Sequence, residues 1–240
     1  MNEDKKIIVS DYDETFYIND EDIEKNKTAV REFEAKGNLF IIATGRSYLD
    51  FKNKVKDYHI NYNYAILNHG ATIIDRNDNI IYNFPMDNEV IKKMKDEINT
   101  EKSVRFFCCS ALESRVDITH RDLTKIHIKY HTKEEAMLIN KTLNNKYAQY
   151  INSYYVSGDS VEVVSNKTNK SKAIKLLTQK FNIDTKNIYT IGDGFSDIEM
   201  IKDFNGYCME DSVEELKKVA KKAYKSVSEL IKEVMEKKRL

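Results

Sequence analysis

Hydrophobic and polar positions follow one rhythm at the two ends of this chain and a different one in the middle. Ile7-Ile8-Val9 is a short continuous apolar run closing at Ser10, and Leu39–Ala43, LFIIA, is another. Such runs suit strands covered on both faces. Between them, Lys27–Lys36 puts Ala29, Val30 and Phe33 on one helical face and stops at Gly37. Ser47–Lys56 reads as a second helix and Tyr64–Leu67 as a third strand. This βαβαβ order predicts a parallel sheet wrapped by helices.

The middle of the chain changes rhythm. Thr72–Asp75 and Asn79–Asn83 flank Arg76-Asn77-Asp78, a hairpin signal. A helix is expected over Asn88–Ile98, then strands at Val104–Cys109, Arg115–Ile118 and Lys125–Lys129, and a helix over Lys133–Lys146. Tyr147–Val156 is aromatic and strand-prone, and Ser160–Val164 alternates. From Asn169 the first rhythm returns: a helix to Phe181, a strand at Asn187–Ile191, a helix over Ser196–Lys202, a short strand near Tyr207 and two final helices. The expected fold is therefore α/β. A Rossmann-like parallel sheet core is built from residues 1–82 and 161–240, with an inserted α+β cap domain over residues 83–160.

Composition narrows the function classes. The 240 residues are 41% hydrophobic, enough for a sizeable core. Lys+Arg and Asp+Glu both number 39, a balance that argues against nucleic acid as a partner. No apolar stretch approaches the roughly 18 residues of a membrane span. The leading MNEDKK has no apolar signal core, so no membrane partner and a cytoplasmic location are expected. Cys108, Cys109 and Cys208 lack zinc-site spacing and read as reduced packing residues.

Four expected strand ends or helix starts carry chemistry. Asp11-x-Asp13-x-Thr15 follows the first strand, Thr44-Gly45-Arg46-Ser47 follows LFIIA, and Gly192-Asp193-Gly194-Phe195-Ser196-Asp197 follows IYTI. Each alone reads equally well as a turn or a helix cap. Together they coincide with the end of a parallel sheet where ligands bind. Lys170 is the fourth piece. The stripe Ala173, Ile174, Leu177 and Phe181 puts Lys170 on the inward helix face, whereas Lys172 lies about 200° away. An inward lysine needs an anionic partner, or else snorkels at the helix end. Carboxylates at Asp11, Asp13, Asp193 and Asp197 converging on one spot would repel without a cation, and an all-oxygen set suits Mg²⁺. Metal, lysine and threonine hydroxyl together would receive phosphate. One aspartate is then free to attack phosphorus and another to move protons.

These pieces resemble the four motifs of the haloacid dehalogenase-like phosphatases, in particular the Cof-type members with a large cap. DYDET is similar to the first motif, ATGRS to the second, NKSKAI to the third and GDGFSDIEM to the fourth, in order and over essentially the whole chain. The resemblance implies Asp11 as nucleophile and Asp13 as general acid and base, with the Asp13 backbone carbonyl on Mg²⁺. It implies Asp193 as a direct metal ligand and Asp197 as a ligand through water or an orienting group. It assigns Thr44 and the Gly45 amide to the phosphoryl oxygens, Lys170 to neutralising phosphate and Asp11, and Arg46 to the substrate. Four positions depart from the pattern. Glu14 stands where the family usually has Gly, Ser196 where it often has Asn, Asn68-His69-Gly70-Ala71 replaces Asn-Gly-Ala, and CMEDS follows Tyr207.

The expected activity is Mg²⁺-dependent hydrolysis of a phosphomonoester, with a small phosphorylated metabolite such as a sugar phosphate as partner, by a monomer or homodimer. A phosphomutase on the same scaffold and a non-catalytic phospholigand-binding protein are the alternatives. Arg105, Arg115, His120, Arg121, His127 and His131 of the cap are candidates for a basic pocket, with a plain surface role as the simpler reading of each, and Tyr154 and Tyr155 for cap core or rim. The basic stretch Leu216–Arg239 reads as a solvated helix face with Val219, Ala223, Val227, Ile231 and Val234 turned inward.

Overall fold

Residues 5–98, 103–156 and 158–236 are described by the computed structural model. In chain order the elements are β1 (Ile7–Ser10), α1 (Asp20–Ala35), β2 (Leu39–Ala43), α2 (Tyr48–Tyr58), β3 (Tyr64–Leu67), β4 (Thr72–Asp75) and β5 (Ile80–Asn83). Then come α3 (Asn88–Ile98), β6 (Arg105–Cys109), β7 (Ser114–Val116), β8 (Lys125–Lys129), α4 (Lys133–Tyr147), β9 (Ile151–Val156) and β10 (Ser160–Ser165). The chain finishes with α5 (Lys170–Lys180), β11 (Ile188–Gly192), α6 (Ile198–Asp203), β12 (Asn205–Met209), α7 (Glu214–Lys217), β13 (Ala223–Tyr224) and α8 (Val227–Glu236).

The expected α/β fold class holds. Strands from both ends of the chain form one sheet in the order β13-β12-β11-β1-β2-β3-β4-β5, and the middle forms a second, β7-β6-β8-β10-β9. In the first sheet β1 pairs in parallel with both β2 and β11, and only β4 runs against the other strands, so its pairings with β3 and β5 are antiparallel. The apolar runs are continuous because both faces are covered. Ile8, Phe40 and Ile42 face the layer shared with α1 and α8, while Ile7, Val9, Ile41 and Ala43 face the layer shared with α5 and α6. Each of the larger side chains, the isoleucines, Val9 and Phe40, contributes about 1.5–3 kcal/mol by leaving water. The second sheet is antiparallel and packs one face on α3 and α4 through Ile126, Ile128, Val161 and Val163.

Three boundaries differ from the sequence reading. The first helix begins at Asp20 rather than Lys27, because the Asn19 side chain accepts from the Glu21 and Asp22 amides and three acidic residues occupy the favourable first turn. A border at residues 160 and 161 would cut β10, which pairs with β8 as far as Val163 and with β9 as far as Ser165, and so belongs to the second sheet. The basic tail is not one helical stripe. Ala223 belongs to the short strand β13, Val219 is only half-buried, and Val227, Ile231 and Val234 are the inward residues of α8. Lys237, Lys238 and Arg239 lie outside the described residues. The three cysteines are buried and unpaired, and no helix among the described residues is long and apolar enough to cross a membrane.

Asn26 fastens the last helix to the first. Its buried amide donates to the Phe16 carbonyl at 2.8 Å and accepts from the Ser228 backbone N–H at 2.8 Å. Asn26→Leu would strand both groups away from water. An unsatisfied buried polar group costs about 1–3 kcal/mol, so a loss of about 2 kcal/mol or more is expected. Urea unfolding followed by circular dichroism reads it as a lower midpoint with an unchanged slope.

Candidate active site

Register brings the motifs together. Ser10 stands level with Ile42 on one side and Ile191 on the other. The residues just beyond, Asp11, Thr44 and Asp193, therefore leave the sheet side by side. Lys170, the first residue of α5, reaches the same point. All eight residues singled out from the sequence, Asp11, Asp13, Thr44, Gly45, Arg46, Lys170, Asp193 and Asp197, line one cavity of about 720 Å³.

The floor is a buried charge cluster. Lys170 Nζ donates to Asp11 Oδ1 at 2.8 Å and to Asp197 Oδ1 at 2.6 Å. Lys170 is 2% exposed, so it is an inward partner and not a snorkelling one. The other Asp197 oxygen accepts from the Asp193 and Gly194 amides at 3.1 and 3.0 Å. That approach needs Gly192, since a Cβ there would sit 2.5 Å from the Asp197 carboxyl carbon. Both Asp197 oxygens are thus engaged by the protein, which suits an orienting group better than a ligand. Asp193 is steadied by Thr15, whose hydroxyl donates to its Oδ1 at 2.7 Å.

One lysine does not balance three carboxylates. Oxygens of Asp11, Asp193 and Asp197 lie within 4.8 Å of one another. Burial pushes the Asp11 carboxyl well above the usual range, Lys170 opposing and Asp197 and Asp193 adding to the rise. Burial and Asp197 push Asp193 up to about 6. Burial works against the Lys170 ammonium, but Asp11 and Asp197 outweigh it and hold its pKa above the usual value. An all-oxygen cluster short of positive charge fits a hard divalent cation.

Asp13 is placed differently. It sits at the mouth, where Arg46 grips it with a fork: Nε to Oδ2 at 2.8 Å and Nη2 to Oδ1 at 2.6 Å. The guanidinium also lies 5.3 Å from the centre of the Tyr12 ring. Arg46, expected to reach substrate, here holds a protein carboxylate. Between Asp13 and Thr15, Glu14 has φ 56°, the left-handed conformation that costs an ordinary residue about 1–2 kcal/mol. The resemblance has Gly there, and the backbone shape is kept without it.

The inserted sheet roofs the cavity with Arg105, Phe107, Lys125, His127, Tyr154 and Glu162. Of the six basic candidates from the cap, Arg105 and His127 face it. Arg115 lines a separate depression, and His120, Arg121 and His131 are not among the lining residues. Sequence reasoning passed over Lys125 and Glu162. Both are polar positions in alternating strands, which normally face water. The available signal is that Lys125 and His127 share one strand face and Glu162 lies on the neighbouring strand, paired with His127.

With this geometry in place, comparison with known proteins decides the family. The haloacid dehalogenase-like hydrolase pattern matches residues 8–115 and 109–230. The chain belongs to the haloacid dehalogenase-like hydrolases. Among curated members, the 5-amino-6-(5-phospho-D-ribitylamino)uracil phosphatase of Bacillus subtilis is 26% identical over 208 residues, covering 83% of this chain and 81% of that protein. Solved haloacid dehalogenase-like hydrolases share the fold. One from Bacteroides thetaiotaomicron aligns with a TM-score of 0.80 at 18% identity, covering 96% of this chain and 99% of its own. Another from B. subtilis gives 0.82 at 17% identity, covering 95% and 99%. At such identities the likeness concerns fold alone.

Proposed function

We propose that this hydrolase is a Mg²⁺-dependent phosphomonoesterase acting on a small phosphorylated metabolite through an aspartyl-phosphate on Asp11. The observation that carries the reading is the buried Asp11 carboxylate held by Lys170 at 2.8 Å beside Asp193, at the open end of a parallel sheet. Asp11 and Asp193, with the Asp13 backbone carbonyl, would hold the ion, and Asp197 would orient them from behind. When bound, Mg²⁺ neutralises the carboxylates and the charge on the phosphoryl group.

The chain's own residues supply the rest. An Asp11 oxygen forms the new bond to phosphorus as the ester oxygen leaves. Asp13 gives that oxygen its proton. It then takes a proton from the water that cleaves the aspartyl-phosphate and returns Asp11 as carboxylate. The Arg46 fork covers both Asp13 oxygens, so proton donation requires this pair to open. An anionic substrate is the natural competitor for Arg46. Thr44 is set to donate to a phosphoryl oxygen, because its Oγ1 already accepts from the Arg46 amide at 3.1 Å and its own hydrogen remains to give. The B. subtilis relative named as a phosphatase of a phosphorylated ribitylaminouracil supports a metabolite of this general size.

The test is phosphate release from an aryl phosphate and a panel of sugar phosphates. Release is expected with Mg²⁺, should stop with EDTA and should return when Mg²⁺ is restored. An isomerised sugar phosphate without free phosphate would identify a mutase instead. No turnover on any ester, with tight binding retained, would make this a phospholigand-binding protein.

A further inference from the structure

The turn that follows β2 is held from behind at three consecutive carbonyls. The Thr44 carbonyl accepts from the His69 amide at 3.1 Å, and the Arg46 carbonyl from the Asn68 amide at 3.0 Å. Both donors belong to the same core as the turn. The middle carbonyl, Gly45, is held by the inserted sheet: Lys125 Nζ donates to it at 2.6 Å. Because a peptide unit is planar, fixing the Gly45 carbonyl also aims the Arg46 N–H on its far side. That N–H is the donor to Thr44 Oγ1. A short rigid chain thus runs from Lys125 to the Thr44 hydroxyl.

Lys125 is itself fixed by Glu162 at 2.9 Å, and the pair is buried, with Lys125 2% and Glu162 8% exposed. Glu162 further engages His127 Nδ1 at 3.0 Å and, through its second oxygen, His69 Nε2 at 2.5 Å. The His69 ring packs against Gly45, and a Cβ on that residue would lie 2.5 Å from the ring. One carboxylate of the inserted sheet therefore ties together the lysine and the imidazole that enclose the turn. Burial opposes the Glu162 charge, but Lys125, His127 and His69 outweigh it and hold the carboxyl well below its usual range.

We propose that Lys125, buttressed by Glu162, is a positioning residue that sets the Thr44 hydroxyl from the inserted sheet, so that the phosphate-binding turn is complete only when that sheet is seated on the core. The proposal rests on the phosphatase reading above and adds a coupling to it: seating of the inserted sheet and phosphate affinity rise and fall together. Lys125 Nζ is engaged by the Gly45 carbonyl and by Glu162, so the role assigned to it is to hold the turn.

The experiment measures inorganic phosphate binding by titration calorimetry in the presence of Mg²⁺, with KM and kcat on an aryl phosphate. It compares wild type, Lys125→Met, Lys125→Arg and Glu162→Gln. Lys125→Met is expected to weaken phosphate binding about 10-fold and to lower kcat/KM by at least as much, the scale seen when supporting contacts are lost. Lys125→Arg keeps a donor and should recover most of both. Glu162→Gln, nearly isosteric, should move both readouts in the same direction as Lys125→Met, and it carries the test if the methionine variant does not fold. Folded variants that bind phosphate like wild type, whatever their melting temperature, would overturn the proposal and leave the phosphatase reading intact. A wild type that neither binds phosphate nor hydrolyses any ester would overturn both.

Discussion

Asp11→Asn is expected to lower phosphate release by roughly 10⁴-fold or more, the scale for loss of a covalent nucleophile. Asparagine has the shape of aspartate but no anionic oxygen to attack phosphorus. The stability of the protein should not fall with it. In the absence of metal Asp11 is a buried carboxylate whose charge is opposed by burial and by Asp197 and Asp193. Replacing it with a neutral amide removes that repulsion and keeps an oxygen for Lys170. In EDTA, the urea midpoint of Asp11→Asn should therefore equal or exceed that of wild type. The two readouts separate chemistry from folding. A variant that retains more than a few per cent of wild-type turnover would show that another group attacks, and Asp11 would have to be reassigned.

Lys170→Met carries the largest expected stability cost. Lys170 is the direct cationic partner of both Asp11 and Asp197, and Asp197 is fully buried. Removing one side of a buried ion pair leaves uncompensated charge and typically costs about 3–5 kcal/mol. Folded proteins have only about 5–15 kcal/mol in hand, so the urea midpoint should drop sharply. Methionine preserves most of the stem's packing, so the loss would report charge and not a cavity. A lysine merely extended to water would make a surface pair worth about 0–1 kcal/mol, and a cost in that range would contradict the buried geometry. Phosphate release should also collapse, because Asp11 loses its hydrogen-bonded orientation and the phosphoryl group loses a fixed positive charge.

Much of this site is legible along the chain. Asp11, Thr44 and Asp193 each end an apolar run, and a parallel sheet with such runs on both sides of β1 has its ligand site there. Lys170 is legible because four apolar residues define the inward face of its helix. The course of β10 is less so. Ser160–Ser165 alternates like a strand of either sheet, and only its pairing with β8 and β9 assigns it to the inserted one. The start of α1 was hidden because Asp20, Glu21 and Asp22 are stabilised by the helix terminus and not by apolar spacing.

The amino-acid sequence by itself determined the α/β class and the carboxylate and threonine identities at the strand ends and the lysine at the start of α5. These follow from local periodicity and from residue chemistry, which need no knowledge of distant neighbours. Tertiary structure alone decided what those groups do to one another. It spends both Asp197 oxygens on Lys170 and two amides, gives Asp13 to Arg46, and brings Glu162 and Lys125 of the inserted sheet against Gly45 and His69. The reason is physical: an alternating strand shows which residues share a face, but whether that face meets water or another buried surface depends on contacts between segments far apart in the chain.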